Sequence, residues 1–402
     1  MNKGFWAAGH RPTLIAAFLY FDLAFMVWVL LGPLAPAISA DLGLSPAQKG
    51  FMVAVPTLAG AVLRLVNGVL VDRIGPKLTG AIGQIIVMAG LLIAWASGVH
   101  SFTGTVAVGI ILGFAGASFA VALPLASRWY PAEHQGTALG IAGMGNSGTV
   151  FAALFAPTLA KLFGWNAVLG LAVIPLSIVF VIYMIFAQNA PNPPAPKPVT
   201  AYLEPLKKAD AWWFMAFYGV SFGGFVGLSS SLSIYFTDQF HVTPVMAGYF
   251  TAACVFAGSM IRPFGGAVAD RIGGTKALTV AYLLAAITLS AISTGPSHVF
   301  LALGLFLVAM LALGFGNGAV FQLVPQRFQA EIGVMTGLVG FAGGVGGFYL
   351  ASSLGVAKQL TGSPQLGFLI FAGLAMLALG GITLVKGRWR ATWATALAGA
   401  RI

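Results

Sequence analysis

The sequence reads RLVNGVLVDRIGPK at residues 64–77 and RPFGGAVADRIGGTK at residues 262–276, two copies of one pattern. In each copy an arginine lies within an apolar run, and an Asp-Arg-Ile-Gly turn begins eight positions later. Eight helical residues rise about 12 Å, which is roughly 40% of a hydrocarbon core of about 30 Å. We therefore expect Arg64 and Arg262 to lie near the middle of a membrane, where a fixed charge is costly unless it has a partner. The pattern predicts that the two arginines bind an anion together.

The composition indicates a polytopic membrane protein. Of 402 residues, 59% are hydrophobic and only 7% are charged, and the mean hydropathy is +0.94. Soluble domains of this size do not have such a composition. The single cysteine, Cys254, excludes an internal disulfide and is expected to be a small apolar filler. The net charge of +11 is scattered over short loops, which indicates membrane topology and no nucleic-acid partner.

Apolar segments long enough to cross a membrane form two sets of six. The first set covers 13–37, 48–70, 77–98, 103–127, 137–161 and 165–187; the second covers 211–237, 244–268, 276–295, 298–324, 333–357 and 366–386. Between them, residues 189–198 read NAPNPPAPKP, which cannot be helical and predicts an extended linker. We therefore divide the chain into an N-terminal half (1–188), a linker (189–209), a C-terminal half (210–390) and a tail (391–402).

The distribution of lysine and arginine predicts the orientation. With the spans above, only Lys49, Lys161 and Lys358 fall on one side of the membrane, and the other loop basic residues fall on the opposite side. Cytoplasmic loops carry the excess of positive charge. Both termini and the linker are therefore predicted to be cytoplasmic, in a cell (inner or plasma) membrane. Among the basic residues, Arg64 and Arg262 alone lie away from the ends of the spans.

The two halves repeat each other beyond the arginines. Arg64 and Arg262 are 198 positions apart, as are Asp72 and Asp270. Other matches are Gly113-Phe114 and Pro124 with Gly314-Phe315 and Pro325, and Gly136, Gly140 and Gly143 with Gly333, Gly337 and Gly340. Repeated six-helix halves are typical of transporters that bind their substrate at the interface of the repeats. The sequence thus predicts an all-α membrane protein of twelve transmembrane helices in two halves.

The same residues resemble a known family over the whole chain. Residues 68–77, and their second copy at 266–276, resemble the helix 2–3 loop signature of the major facilitator superfamily, which is shared by transporters of many substrates. Residues 140–148, GIAGMGNSG, and 337–347, GLVGFAGGVGG, resemble the two signatures of its nitrate/nitrite porter family, which are more specific. The resemblance implies the major facilitator fold and transport of nitrate and nitrite.

The arginine pair suits such an anion. Nitrate and nitrite are small, planar and monovalent, and a guanidinium presents parallel N–H donors in one plane, whereas lysine is a point charge. One arginine from each half would close the site from both sides. The alternative is that each arginine pairs with a helix carbonyl or a nearby carboxylate.

The resemblance also implies an aromatic pocket wall formed by Phe119, Tyr218 and Phe222. Tyr218 and Phe222 are four positions apart and share a helix face, and the tyrosine hydroxyl can donate to an anion oxygen. The alternative for any one of the many phenylalanines is lipid contact or packing.

The glycine signatures allow two interpretations. Gly143, Gly145, Gly340 and Gly343 either let helices pack closely or bring main chain and the Asn146 side chain close to the anion. We expect both, and Asn146 is predicted to contact the anion directly.

Asp22 is the acidic residue placed well inside a span. Intramembrane carboxylates are candidates for proton relays, and an acid at this place in helix 1 resembles the proton-symport branch of the family more than its exchange branch. The alternative is a fixed counter-charge to Arg64 or Arg262.

The charged residues of the two Asp-Arg-Ile-Gly turns are predicted to serve in gating. Asp72, Arg73, Asp270 and Arg271 lie at helix ends on the cytoplasmic side, and we expect their ion pairs to form and break as the halves move. They are not expected to bind the substrate.

Taken together, the sequence predicts a secondary active nitrate (and nitrite) transporter that works by alternating access, with protons as the coupling ion. The alternatives are nitrate/nitrite exchange, transport of another small anion such as a monocarboxylate, and a transport-inactive sensor. An enzyme is not expected, because the five histidines lie near loops or helix ends. No cofactor or metal is expected, and the chain is expected to work as a monomer in the lipid bilayer.

Overall fold

The computed structural model describes residues 5–191, 200, 203–328 and 331–393, without the side chains of residues 132, 133, 135–137 and 393. Most of the predicted extended linker (192–199, 201 and 202) and the end of the predicted tail (394–402) lie outside the described residues. Within those ranges every regular element is a helix, and twelve helices are long and apolar enough to cross a membrane. The predicted fold class is confirmed: this is a multi-pass membrane protein.

The twelve helices follow the predicted spans closely. They are α1 (Arg11–Leu42), α2 (Pro46–Ile74), α3 (Pro76–Ser97), α4 (Phe102–Ser127), α5 (Ala138–Phe163), α6 (Trp165–Phe186), α7 (Ala209–Phe240), α8 (Pro244–Ile272), α9 (Gly274–Ser293), α10 (Val299–Arg327), α11 (Ile332–Thr361) and α12 (Gln365–Thr392). The helix of α12 reaches Trp393, the end of the described residues, and so continues beyond the boundary predicted at residue 390.

The repeated sequence stretch forms the same structure in both halves. Helices α2 and α8 each end at an isoleucine followed by a glycine with positive φ, Gly75 at 84° and Gly273 at 96°. A side chain is strained in that backbone conformation, whereas glycine is not. The chain therefore reverses within one residue, and the next helix begins at Pro76 or Gly274.

The two membrane faces differ in how their charges pair. We call the face where α6 ends and α7 begins the linker face, and the opposite one the far face. On the linker face, Arg128 donates to Asp72 at 2.7 Å within the N-terminal half, while Asp210 accepts from Arg327 at 2.6 Å and Arg388 at 2.5 Å within the C-terminal half. On the far face one ion pair, between Lys49 and Asp238, crosses between the halves, as described below.

Helices α2 and α11 join the halves on the far-face side. Gly50 of α2 faces Gly355 of α11 so closely that a Cβ at Gly50 would lie 2.8 Å from the Gly355 Cα. The Ala47 main-chain N–H donates to the Gln359 side chain at 3.1 Å. Lys49 donates to both carboxylate oxygens of Asp238, at 3.2 and 3.1 Å. The halves are therefore in close contact at the far face in this conformation.

Candidate functional site: an arginine pair in an aromatic cage

Arg64 is held in place by two main-chain carbonyls, one from each half. Its side chain is fully buried; Nε donates to the Gly116 carbonyl of α4 at 3.1 Å, and Nη1 donates to the Gly340 carbonyl of α11 at 2.7 Å. Nη2 is buried and has no hydrogen-bond partner in the described part of the chain. Arg64 thus reaches across the interface between the halves and keeps one pair of N–H donors available.

Arg262 of α8 has a similar arrangement in the other half. It is half-buried, and its Nη2 donates to the Tyr218 hydroxyl of α7 at 3.3 Å. Its Nη1 is buried without a partner among the described residues. The protein therefore anchors two nitrogens of Arg64 and one of Arg262, and each guanidinium has one buried terminal nitrogen without a partner among the described residues.

A single aromatic ring brings the two arginines together. The Cζ atom of Arg64 lies 5.3 Å from the centroid of the Phe119 ring, and the Cζ atom of Arg262 lies 6.0 Å from the same centroid. Both distances are in the range of cation–π contacts. The two side chains therefore flank one ring at the interface between the halves, and their joint binding of an anion stays a prediction.

Four further rings complete what we call the aromatic cage, namely Phe119 with Trp28, Tyr218, Phe222 and Phe321. The Arg64 Cζ lies 5.1 Å from Trp28 and 5.3 Å from Phe222, and the Arg262 Cζ lies 5.6 Å from Phe321. Tyr218 and Phe222 stack at 4.9 Å with their planes 4° apart. Rings on these sides keep water away from the guanidinium groups, which strengthens their interaction with a charged ligand.

The cage favours a bound anion for a simple electrostatic reason. Two positive groups repel each other, and the acceptors that they contact are carbonyls and a hydroxyl, which do not cancel their charge. Buried donors without acceptors are rare in folded proteins, and leaving one unpaired costs about 1–3 kcal/mol. A small anion between Nη2 of Arg64 and Nη1 of Arg262 would supply both the acceptors and the missing charge.

The glycine positions of α11 form one wall of the cage. A Cβ at Gly340 would lie 3.4 Å from the Arg64 Cδ, and a Cβ at Gly343 would lie 2.8 Å from both Tyr218 and Phe222. A side chain at Gly343 would displace the two stacked rings. The absence of side chains here lets the main chain of α11 reach the arginine.

The glycine signature of α5 interrupts the helix. An α-helix that ends at Gly143 is followed by a 3-10 turn, Met144–Ser147, and then by an α-helix from Gly148. A Cβ at Gly145 would lie 2.9 Å from the Asp22 main-chain nitrogen, so this glycine allows close packing of α5 against α1. Gly143 is buried, yet a Cβ there would meet no atom within 4 Å, which indicates open space beside it.

Asn146 lies on this 3-10 turn. Its side chain is 1% exposed, and its Oδ1 has no hydrogen-bond partner among the described residues. An amide at this position offers both donor and acceptor atoms to a ligand. Direct contact between Asn146 and an anion remains a prediction.

Asp22 is buried at the same junction of α1 and α5. It is 4% exposed, and its carboxylate accepts a hydrogen bond from the Ser147 hydroxyl at 2.7 Å. The neighbouring Phe21 ring lies 5.8 Å from Phe119, so Asp22 is close to the cage. The hydrogen-bond partners of Arg64 and Arg262 given above do not include Asp22.

The predicted gating residues lie at the linker face, at the ends of α2 and α8. Asp72 pairs with Arg128, as described above, whereas Arg73 is exposed. Asp270 and Arg271 occupy the equivalent exposed positions of α8. Asp72 is eight residues from Arg64, about 12 Å along the helix, so it is not part of the cage. The gating role of these four residues stays a prediction.

Sequence reasoning missed two rings of the cage and the anchors of Arg64. Phe119 follows Gly113 by six positions, while Phe321 follows Gly314 by seven. Because the two phenylalanines are offset by one residue in the repeat, an alignment of the two halves does not pair them. The residue 198 positions after Trp28 is Val226, so the repeat does not mark Trp28 as an equivalent aromatic position. The carbonyls of Gly116 and Gly340 have no sequence signature, because every residue has a carbonyl.

Comparisons with known proteins agree with this architecture. The family model of the Major Facilitator Superfamily matches residues 16–351. The chain is 34% identical to the probable nitrate transporter NarT of Staphylococcus carnosus (strain TM300), covering 88% of this chain and 91% of the relative. It is 31% identical to the nitrite extrusion protein of Bacillus subtilis (strain 168), covering 88% of each. It is 29% identical to the probable nitrate/nitrite antiporter NarK1 of Thermus thermophilus, covering 90% and 88%. The chain therefore belongs to the Major Facilitator Superfamily and, within it, to the nitrate/nitrite porter family.

Proposed function

We propose that this protein transports nitrate, and nitrite, across a cell membrane by alternating access, with the anion bound between Arg64 and Arg262. The observation that carries the proposal is the pair of buried, unpaired guanidinium nitrogens, one on each arginine, beside the shared Phe119 ring. A flat oxyanion has oxygens in one plane, which matches the planar donors of a guanidinium.

The position of the site supports alternating access. Arg64 belongs to α2 in one half and is anchored by Gly340 of α11 in the other, while Arg262 and Tyr218 belong to the second half. An anion between the arginines would contact both halves and would therefore respond to their relative movement. In the proposed orientation the linker face is cytoplasmic, because most loop lysines and arginines lie there.

The names of the relatives agree on nitrate or nitrite as the substrate, but they do not agree on how transport is coupled. All three name nitrate or nitrite, but one is called a transporter, one an extrusion protein and one an antiporter. Coupling must therefore be inferred from this chain's own residues.

Proton coupling is the mechanism that we favour. A cell interior is negative, and moving one charge against that potential costs about 2.3 kcal/mol per 100 mV. Uptake of an anion by symport therefore needs more than one proton for each anion, so that net positive charge enters. Asp22 is a buried carboxylate between α1 and α5, adjacent to the cage, and a group in that place can exchange a proton as the helices move. Nitrate/nitrite exchange is the second candidate, favoured by the antiporter name of one relative.

Substrate competition tests the proposed substrate. We expect uptake of nitrate into proteoliposomes, followed with an entrapped nitrate sensor, to be inhibited by nitrite. Formate and oxalate should inhibit at least tenfold less, because formate is more strongly hydrated than nitrite and oxalate is larger and divalent, so both lose more hydration free energy on entering the aromatic cage. Stronger inhibition by formate or oxalate than by nitrite would identify a monocarboxylate or dicarboxylate transporter instead.

Tyr218→Phe should weaken nitrate binding without removing either positive charge. The change deletes the one acceptor that Arg262 has among the described residues, so its guanidinium loses a fixed orientation. Hydrogen bonds to charged groups contribute about 1.5–3 kcal/mol, which corresponds to roughly tenfold or more in Kd. The measurement is nitrate binding to purified protein by calorimetry.

Tyr282→Phe is the matched control. Its hydroxyl is also buried and donates to the Phe217 carbonyl at 2.8 Å, outside the cage. We expect its nitrate Kd to stay within twofold of the wild type. Equal losses in both variants would mean that Tyr218 acts only through helix packing.

A further inference from the structure

A second pocket, lined by charged, hydroxyl and apolar residues, lies at the far face, between the two halves. Its lining includes Lys49 and Gly50 of α2, Ser231, Tyr235 and Asp238 of α7, and Lys358 of α11. The pocket is open to the surface and separate from the aromatic cage, with which it shares no lining residue. None of the roles assigned to the arginine site accounts for it.

The charges of this pocket do not cancel. Asp238 accepts from Lys49 at 3.1 Å and from Lys358 at 2.6 Å, and it is the only carboxylate that lines the pocket. Two ammonium groups and one carboxylate leave one positive charge uncompensated. The three side chains are mostly shielded, with 14%, 29% and 20% exposure for Lys49, Lys358 and Asp238. A charge that is shielded in this way attracts a counter-ion more strongly than a fully exposed one.

Two buried hydroxyls in the pocket have no partner. Ser231 is 5% and Tyr235 is 4% exposed, and neither hydroxyl has a hydrogen-bond partner among the residues that the structure describes. They are four positions apart and lie on one face of α7. On the same helix, Ser229 donates to the Phe225 carbonyl at 2.7 Å, and Ser233 bonds to Thr251 at 3.0 Å. Ser230 and Thr237 of α7 also lack a hydrogen-bond partner among the described residues, but only Ser231 and Tyr235 of these four line the pocket.

We propose that this pocket is an outer binding site for a small monovalent oxyanion, with nitrate as the ligand. One negative charge would balance the remaining positive charge, and the hydroxyls of Ser231 and Tyr235 would donate to the anion oxygens. The ammonium of Lys358 has further N–H donors for the same anion. The choice of nitrate rests on the proposed function, whereas the preference for a small monovalent anion rests on the pocket itself.

Binding at this outer site has a conformational consequence. Lys49 comes from the N-terminal half, and Asp238 and Lys358 come from the C-terminal half, so the pocket is complete only while the halves are in contact at the far face. A ligand favours the conformation to which it binds more tightly. Nitrate at the outer site therefore stabilises the state that is closed at this face.

Protection of a cysteine at the rim of the pocket tests the proposal. Gln239 lines the pocket and is exposed, and the native Cys254 is buried, so a Gln239→Cys, Cys254→Ser protein has one reactive thiol. The full-length protein also carries Arg64→Lys and Arg262→Lys, which disable the cage. We expect nitrate to slow labelling of this thiol by a membrane-impermeant maleimide at least threefold, relative to gluconate at the same ionic strength.

Two variants assign the effect to the pocket. Adding Ser231→Ala and Tyr235→Phe should abolish protection by nitrate, while adding Ser233→Ala, whose hydroxyl is bonded to Thr251, should leave it intact. Equal labelling rates of all three proteins in gluconate would show that their far faces are folded alike. If the variant with both Ser231→Ala and Tyr235→Phe is labelled at a different rate in gluconate, Ser231→Ala alone is tested in the same way. Absence of protection in the parent protein, or protection that survives loss of both hydroxyls, would overturn the proposal. Wild-type nitrate uptake is measured separately, so a failure of the outer site is distinguishable from a failure of the proposed transport function.

Discussion

Arg64→Lys is expected to reduce nitrate uptake at least hundredfold while preserving the positive charge. Arg64 uses Nε and Nη1 to hold the Gly116 and Gly340 carbonyls and has Nη2 left for the anion. A lysine ammonium is a single nitrogen and cannot hold two carbonyls from opposite halves and also present a planar donor pair. Arg262→Lys is expected to have a similar effect, because one nitrogen cannot both bond Tyr218 and face the anion in the same geometry.

Initial rates of nitrate uptake into proteoliposomes give the measurement. Arg390→Lys is the matched control, since this arginine is exposed at the end of α12, and its uptake should equal that of the wild type. Uptake by Arg64→Lys within threefold of the wild type would mean that attraction by charge is sufficient and that planar recognition is not required.

Asp22→Asn is expected to abolish uptake driven by a pH gradient and to leave nitrate counterflow intact. Asparagine has nearly the same size and can still accept a hydrogen bond from Ser147, so packing of α1 against α5 should persist. It cannot bind and release a proton, however, so the gradient would no longer drive net movement. Counterflow does not require net proton movement, because the anion exchanges in both directions.

The two transport modes are measured on the same proteoliposomes, with and without an imposed pH gradient. Asp41→Asn is the matched control, because Asp41 lies near the other end of α1 and accepts from Trp165 at 2.9 Å, away from the cage. We expect it to retain both modes. If Asp22→Asn also retains pH-driven uptake unchanged, Asp22 is not the proton relay, and exchange becomes the favoured mechanism.

The helices and the equivalent positions of the two arginines were predictable because their signals are local or periodic. Apolar length alone located the twelve helices, and the spacing of 198 residues placed Arg64 and Arg262 at equivalent positions of two repeats. Repeats that face each other bring equivalent positions together. The proximity of Phe119, Tyr218 and Phe222 to the arginines came from the family resemblance, and composition alone did not indicate it.

The other features of both sites depend on tertiary structure. Asp238 is 189 positions from Lys49 and 120 from Lys358, and no motif connects the three residues. The 3-10 turn at Met144–Ser147 depends on how α5 packs against α1, since a run of glycines allows several backbone paths. The orientation of Arg64 depends on two carbonyls that any sequence would provide. Such contacts become visible only when the chain is folded.

A structure of the wild-type protein determined in the presence of nitrate tests the central claim most directly. We predict density for one planar anion within hydrogen-bond distance of Nη2 of Arg64 and Nη1 of Arg262, beside the Phe119 ring. Well-resolved arginines with no anion between them, at nitrate concentrations that saturate uptake, would contradict the account.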